Sequence, residues 1–179
     1  MRTVLCLASL VLAITAGAAE LVQFEARIRT PTDRDFIEVV QARSSADATD
    51  ALQERVPRVK VLAVRSLQRQ DGYEWYLARL SVNGANVMDT TLAKSLGDAR
   101  RVFASRFNGG RIVSLTVLPG NAAYKLYESV IHGATKKVFR DAVFAQTESD
   151  GRRALLARYP GARISSITEV KTQAKAEAQ

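Results

Sequence analysis

Four sets of charged residues recur along this chain at a nearly constant interval, and they are where chemistry would have to sit. Glu38, Asp89 and Asp141 form one set, and Asp47, Asp98 and Asp150 a second. Arg55, Arg106 and Arg158 form a third, followed five residues on by Lys60, Arg111 and Arg163. Two carboxylates in one cleft would suit glycoside hydrolysis. Here the carboxylates come one per repeat, and no pattern gathers two. Glu38, Asp89 and Asp141 read as outward strand positions, opposite basic residues such as Arg27 or Arg79. Asp47, Asp98 and Asp150 each follow Ser44, Ser95 or Thr147 by three residues, a capping-box-like helix start. The arginines and the lysine that follow them place two basic groups at one corner of every repeat. A cation near a helix C-terminus answers the free carbonyls there. The sharper reading is that the three corners line up as a binding surface made of Arg55, Lys60, Arg106, Arg111, Arg158 and Arg163.

Other reactive types are few. His132 is the only histidine, and one imidazole does not make a zinc site. No nucleophile-elbow pattern surrounds any serine, so His132 reads as a solvated hairpin-turn residue beside Gly133. Tyr73, Trp75, Tyr76, Tyr124 and Tyr127 fall on strand-like runs, where sheet packing accounts for them. The reading is of a chain that is not an enzyme, with no catalytic residue, no metal site and no cofactor.

The elements that carry these residues come in three copies. Residues 36–64, 87–115 and 139–167 align without gaps, at offsets of 51 and then 52. Ala42, Ala93 and Ala145 coincide. Apolar positions match as Leu52/Phe103/Leu155, Val56/Phe107/Tyr159 and Val61/Ile112/Ile164, and Pro57, Asn108 and Pro160 mark one corner. Each copy opens with a strand-like run: VQFEARIR, YEWYLARLSV or YKLYESVIH. A turn follows, most plainly Asn83-Gly84, and then a second strand that runs to the shared alanine. The helix after it presents Ala48, Ala51, Leu52 and Val56, or their counterparts, at helical spacing. Pro or Asn-Gly stops the helix, and a third strand closes the unit. The expected fold is α+β: three tandem β-β-α-β repeats, each an antiparallel hairpin and a further strand with one helix packed on the sheet. A unit of this size is marginal alone, so the units should pack together or share a sheet.

The turn into the helix, Ala42-Arg43-Ser44 to Ala48 and Ala93-Lys94-Ser95 to Ala99, resembles the small β-β-α-β repeat of cytoplasmic modules in type II secretion and type IV pilus platform proteins. It is also similar to a small archaeal and eukaryotic ribosomal protein. The third unit departs from the pattern at Thr147 and Gly151. The likeness covers about 30 residues per unit, uses common helix-start residues and carries no function over to this chain.

Composition sets the compartment. Residues 1–19 carry Arg2, an apolar run from Val4 to Ile14 and then Ala16-Gly17-Ala18-Ala19. That is a signal peptide with a small-residue cleavage site, and the run falls short of the ~20 residues that span a bilayer. Cleavage would remove Cys6, the only cysteine, and leave a chain without disulfides or thiolate chemistry. A periplasmic or secreted bacterial protein fits, with no integral membrane segment after cleavage. The domain plan is a signal at 1–19, repeats at 20–70, 71–120 and 121–170, and a polar tail at 171–179. Lys and Arg total 26 against 18 acids, a net charge of +8 without a basic run. The expected function is an exported scaffold or interaction protein with a protein partner. The alternative is an exported binder of a polyanion, nucleic acid or an acidic envelope polymer.

Overall fold

The computed structural model describes residues 21–31, 34–56, 58–67, 72–107, 109–120 and 123–170. The signal-peptide and tail readings, and the corner residues Pro57 and Asn108, lie outside these residues. Each repeat folds as expected. The first holds β1 (Val22–Arg29), β2 (Asp35–Ala42), α1 (Ser45–Arg55) and β3 (Lys60–Ser66). The second holds β4 (Glu74–Val82), β5 (Ala85–Ala93), α2 (Leu96–Arg106) and β6 (Arg111–Val117). The third holds β7 (Lys125–His132), β8 (Val138–Ala145), α3 (Glu148–Arg158) and β9 (Arg163–Glu169). The chain forms three separate antiparallel sheets in the orders β2-β1-β3, β5-β4-β6 and β8-β7-β9. The first strand of each unit is therefore central, and the units do not extend one sheet.

Local chemistry sets the helix starts. Ser44 Oγ accepts from the Asp47 amide at 3.0 Å, Ser95 Oγ from Asp98 at 3.1 Å and Thr147 Oγ1 from Asp150 at 3.1 Å. In the second and third units the hydroxyl also donates to the aspartate, at 2.7 Å. Each cap satisfies an amide that the helix cannot. Beyond the helices, Gly109 and Gly161 take φ of 81° and 82°, and Arg58 holds the same place at 66°. Asn83 and Gly84, at φ 50° and 79°, make the two-residue hairpin turn between β4 and β5. His132 ends β7 rather than sitting in a turn: it pairs with Val138 and Arg163, and the turn runs through Gly133 to Lys137.

Packing between units is cyclic. Helix α1 packs on its own sheet and on β8, α2 on β2, and α3 on β5, while β2, β5 and β8 contact one another. Each helix thus covers the second strand of a neighbouring unit, always in the same direction round the molecule, and the third contact closes the circle. One apolar cluster runs through the first and third units and takes in Val87 and Val102 of the second. A second cluster, with Leu80, Phe103 and Phe107, fills the middle unit. The helix positions expected to face inward are buried in all three copies: Ala48, Ala51, Leu52 and Val56; Ala99, Val102, Phe103 and Phe107; Gly151, Ala154, Leu155 and Tyr159.

Candidate functional site

The second strands decide where the recurring charges go. Alternation puts Phe36, Glu38, Val40 and Ala42 on one face of β2, and that face lies under helices. In β5 the same face carries Val87, Asp89, Thr91 and Ala93, and in β8 Phe139, Asp141, Val143 and Ala145; all twelve are buried. Glu38, Asp89 and Asp141 therefore point inward, across from Ala26, Ala78 and Ser129. The expectation that they face solvent opposite Arg27 or Arg79 is overturned by this period-two register. They are 0%, 0% and 1% exposed.

Arg55, Arg106 and Arg158 meet them there. Each arginine lies 17 residues after the carboxylate of its own unit and bonds to it, Arg55 to Glu38, Arg106 to Asp89 at 3.1 Å and Arg158 to Asp141 at 2.7 Å. Each also reaches the carboxylate of a neighbouring unit. Arg55 Nη2 donates to Asp141 at 2.6 Å, Arg106 Nε to Glu38 at 2.8 Å and Arg158 Nε to Asp89 at 2.9 Å. The six side chains close a ring of alternating sign: Arg55, Glu38, Arg106, Asp89, Arg158, Asp141 and back to Arg55. Backbone carbonyls finish it, Thr90 accepting from Arg106 and Arg158 and Ala142 from Arg158, all at 3.0 Å. Tyr159 Oη donates to Asp141 at 2.8 Å and accepts from Arg55 at 2.8 Å.

This geometry removes half of the anticipated basic surface. Arg55, Arg106 and Arg158 are 2%, 5% and 2% exposed, because their guanidiniums turn from the helix ends to the strand carboxylates. Burial alone would raise the pKa of all three acids, but the adjacent arginines outweigh it and hold Glu38, Asp89 and Asp141 below their ordinary values. Burial, opposed only in part by the charge of Arg55 and Arg158, drives the Tyr159 phenol far above its usual range. Three positive and three negative groups cancel, so the net charge of +8 belongs to the rest of the chain.

Lys60, Arg111 and Arg163 are exposed, as anticipated, at the first residues of β3, β6 and β9. These strands form the outer edge of each sheet. Each is interrupted at one place: Leu62, Val113 and Ser165 are skipped in the pairing with β1, β4 and β7. The equivalent bulge in three copies bends each edge and blunts it against strand addition. On β6 the bulged Val113 and the terminal Val117 are 49% and 53% exposed. Beside Val117 lie Trp75, Tyr124 and Phe144, with Trp75 and Phe144 edge to face at 4.7 Å. Of the other strand aromatics, Tyr76 and Tyr127 are core residues. Tyr73 donates to Glu25 of the first unit.

The chain matches no protein-family model, no curated protein and no solved structure. Among the described residues no helix is long and apolar enough to cross a membrane.

Proposed function

We propose that the protein is an exported scaffold or interaction protein of the bacterial envelope that holds a protein partner on its outer strands and catalyses no reaction. The observation that carries this reading is the exposed outer edge strand repeated in all three units, with Val113 and Val117 open to solvent on β6. An apolar exposed strand flanked by basic and hydroxyl side chains suits a protein surface. The cyclic packing supports the reading because it fixes the three edges relative to one another. The recurring acids and the Arg55, Arg106 and Arg158 set serve that packing.

The test uses the full chain in its native cells, with a photo-crosslinking residue at Val113 or Val117 and at the control position Arg153. A discrete protein adduct at the two valines, unchanged between low and high salt, supports the reading. No adduct above the Arg153 control overturns it. Mass spectrometry of the exported chain should show that residues 1–19 are gone. The polyanion reading retains one specific support, the exposed Lys60, Arg111 and Arg163 at equivalent places. It requires an affinity for nucleic acid or an acidic polymer that falls steeply with salt.

A further inference from the structure

Unanswered positive charge gathers at one end of the molecule. There the C-terminal ends of α1 and α2, the corner after α3 and the β4–β5 and β7–β8 hairpins meet round one cavity, lined by Glu54, Ser105, Pro160, Asn83 and Thr135 among others. Five exposed basic residues, Arg58, Lys60, Arg111, Lys136 and Arg163, lie within five residues of that lining. Three of them are equivalent. Lys60, Arg111 and Arg163 open β3, β6 and β9, across from Arg29, Ser81 and His132 at the hairpin ends of β1, β4 and β7. None of the five forms an ion pair among the described residues. Exposed bases elsewhere are often answered, as Arg65 is by Glu25, Arg101 by Asp98 and Lys125 by Glu169. Glu54, the one acid in the cavity lining, is already engaged by the Thr135 amide and hydroxyl.

Two of the five also hold an unfavourable backbone. Among the described non-glycine residues only Arg58, Asn83 and Lys136 take a positive φ, at 66°, 50° and 68°. Asparagine is enriched in that region, whereas a long basic side chain is not. At the place of Arg58 the other two units carry Gly109 and Gly161. The first unit thus keeps a cation where glycine would relax the chain. Strain retained in this way points to a role for the side chain itself.

The shape of the array selects the anion. A nucleic-acid strand follows a groove or stripe and stacks its bases on aromatic rings. One cation per unit, in units that close in a circle, makes a triangle and not a row. The aromatic rings at this end, Phe107 and Tyr159, are only 3% and 2% exposed. A planar array of phosphates meets all three corners at once. Val138, 55% exposed at the start of β8, adds an apolar side chain of the kind that enters a headgroup layer. We propose that this end of the protein docks on the surface of an anionic phospholipid bilayer. Lys60, Arg111 and Arg163 lie on headgroup phosphates, with Arg58 and Lys136 beside them. The outer strands run away from this end, so the docking is independent of the scaffold reading, and its failure leaves the crosslinks at Val113 and Val117 untouched.

The experiment sediments the chain recovered after export with two kinds of vesicle, phosphatidylcholine alone and phosphatidylcholine with about 30% phosphatidylglycerol. The expected result is binding roughly tenfold or more tighter to the anionic vesicles, weakening as salt rises. A basic residue near such a surface is worth about fivefold in affinity. Lys60→Gln, Arg111→Gln and Arg163→Gln together should therefore weaken binding about a hundredfold. The control Arg100→Gln, Arg152→Gln and Arg153→Gln removes the same charge from α2 and α3 and should weaken it only slightly. If the first triple variant does not fold, Arg58→Gly with Lys136→Gly carries the test, because both changes relax a left-handed backbone. That pair should weaken binding about twentyfold in a chain no less stable to urea. The proposal is overturned if anionic and neutral vesicles bind alike, if the control triple loses as much as the first, or if the glycine pair binds as the parent does. It is equally overturned if double-stranded DNA or polyglutamate binds more tightly than the anionic vesicles at the same salt.

Discussion

Replacing Arg158 with methionine tests whether the ring is structural. The substitution preserves most of the buried apolar stem and deletes a guanidinium whose side chain is 3% exposed. Asp89 would keep only Arg106 and the Thr90 amide, and Asp141 only Arg55 and Tyr159. The carbonyls of Ala142 and Thr90 would both lose this donor, and that of Thr90 would keep the one from Arg106. The ring would pass from neutral to one negative charge in excess. Removing one partner of a buried ion pair costs about 3–5 kcal/mol, because the other charge is left uncompensated. At about 2–4 °C per kcal/mol for a chain of this size, Tm should fall by roughly 6–20 °C. The pH dependence has a definite sign. In the variant the surplus carboxylate has its folded pKa raised above the unfolded value, so protonation relieves the strain, and the deficit narrows as pH falls from 8 to 5. The slope approaches about 1.4 kcal/mol per pH unit while one proton is taken up. The assay is urea unfolding followed by circular dichroism at both pH values, with Arg153→Met as the exposed control. A loss within about 1 kcal/mol of that control, the ceiling for a surface pair, would refute the reasoning. So would a deficit equal at pH 8 and pH 5.

Three further outcomes follow from named residues. Glu38, Asp89 and Asp141 have folded pKa values below their ordinary 4.5, 3.8 and 3.8, so their stabilisation is complete above that range. It is lost as pH falls through their lower folded values, and Tm against pH should be flat near neutrality, then drop below about pH 4 with protons taken up on unfolding. Arg58→Gly should stabilise the first unit by about 0.5–1 kcal/mol, because the arginine carries a left-handed φ of 66° where the other units have Gly109 and Gly161; a chemical melt would show it. Ser44→Ala removes the cap that receives the Asp47 amide at 3.0 Å and should cost about 1 kcal/mol in the same melt.

Much of the architecture was legible because its signals are local and came three times. The hydroxyl caps, the apolar helix positions and the Asn83-Gly84 turn each act within a few residues, and repetition separated them from chance. Two linked expectations fail at the site, the outward carboxylates and the exposed arginines. Charge alone makes Glu38 an outward position, yet Phe36 and Val40 flank it at two residues on either side and are buried on the same face. The same holds for Asp89 between Val87 and Thr91, and for Asp141 between Phe139 and Val143. Strand alternation carried the right answer, and the recurrence of a carboxylate and an arginine at a fixed interval named the partner. What no local rule carried was the neighbouring unit. Arg55 reaches Asp141 across 86 residues and Arg106 reaches Glu38 across 68, and those contacts exist only once the units have closed on one another.

That closure explains why charge can sit at the centre of so small a protein. In a linear array of repeats every unit contacts its neighbours and the two ends stay bare, which is why such arrays need capping units. Here each arginine joins its own carboxylate to that of the next unit, so an open row would leave one arginine and one carboxylate half-paired at its ends. Three units in a circle have no ends. A buried ion ring gains little net stability over well-packed apolar residues, but it discriminates sharply between arrangements, since any slip of one unit separates at least two pairs. The apolar clusters supply the drive to bury surface, and the ring admits one closed register in which the three outer strands hold fixed positions.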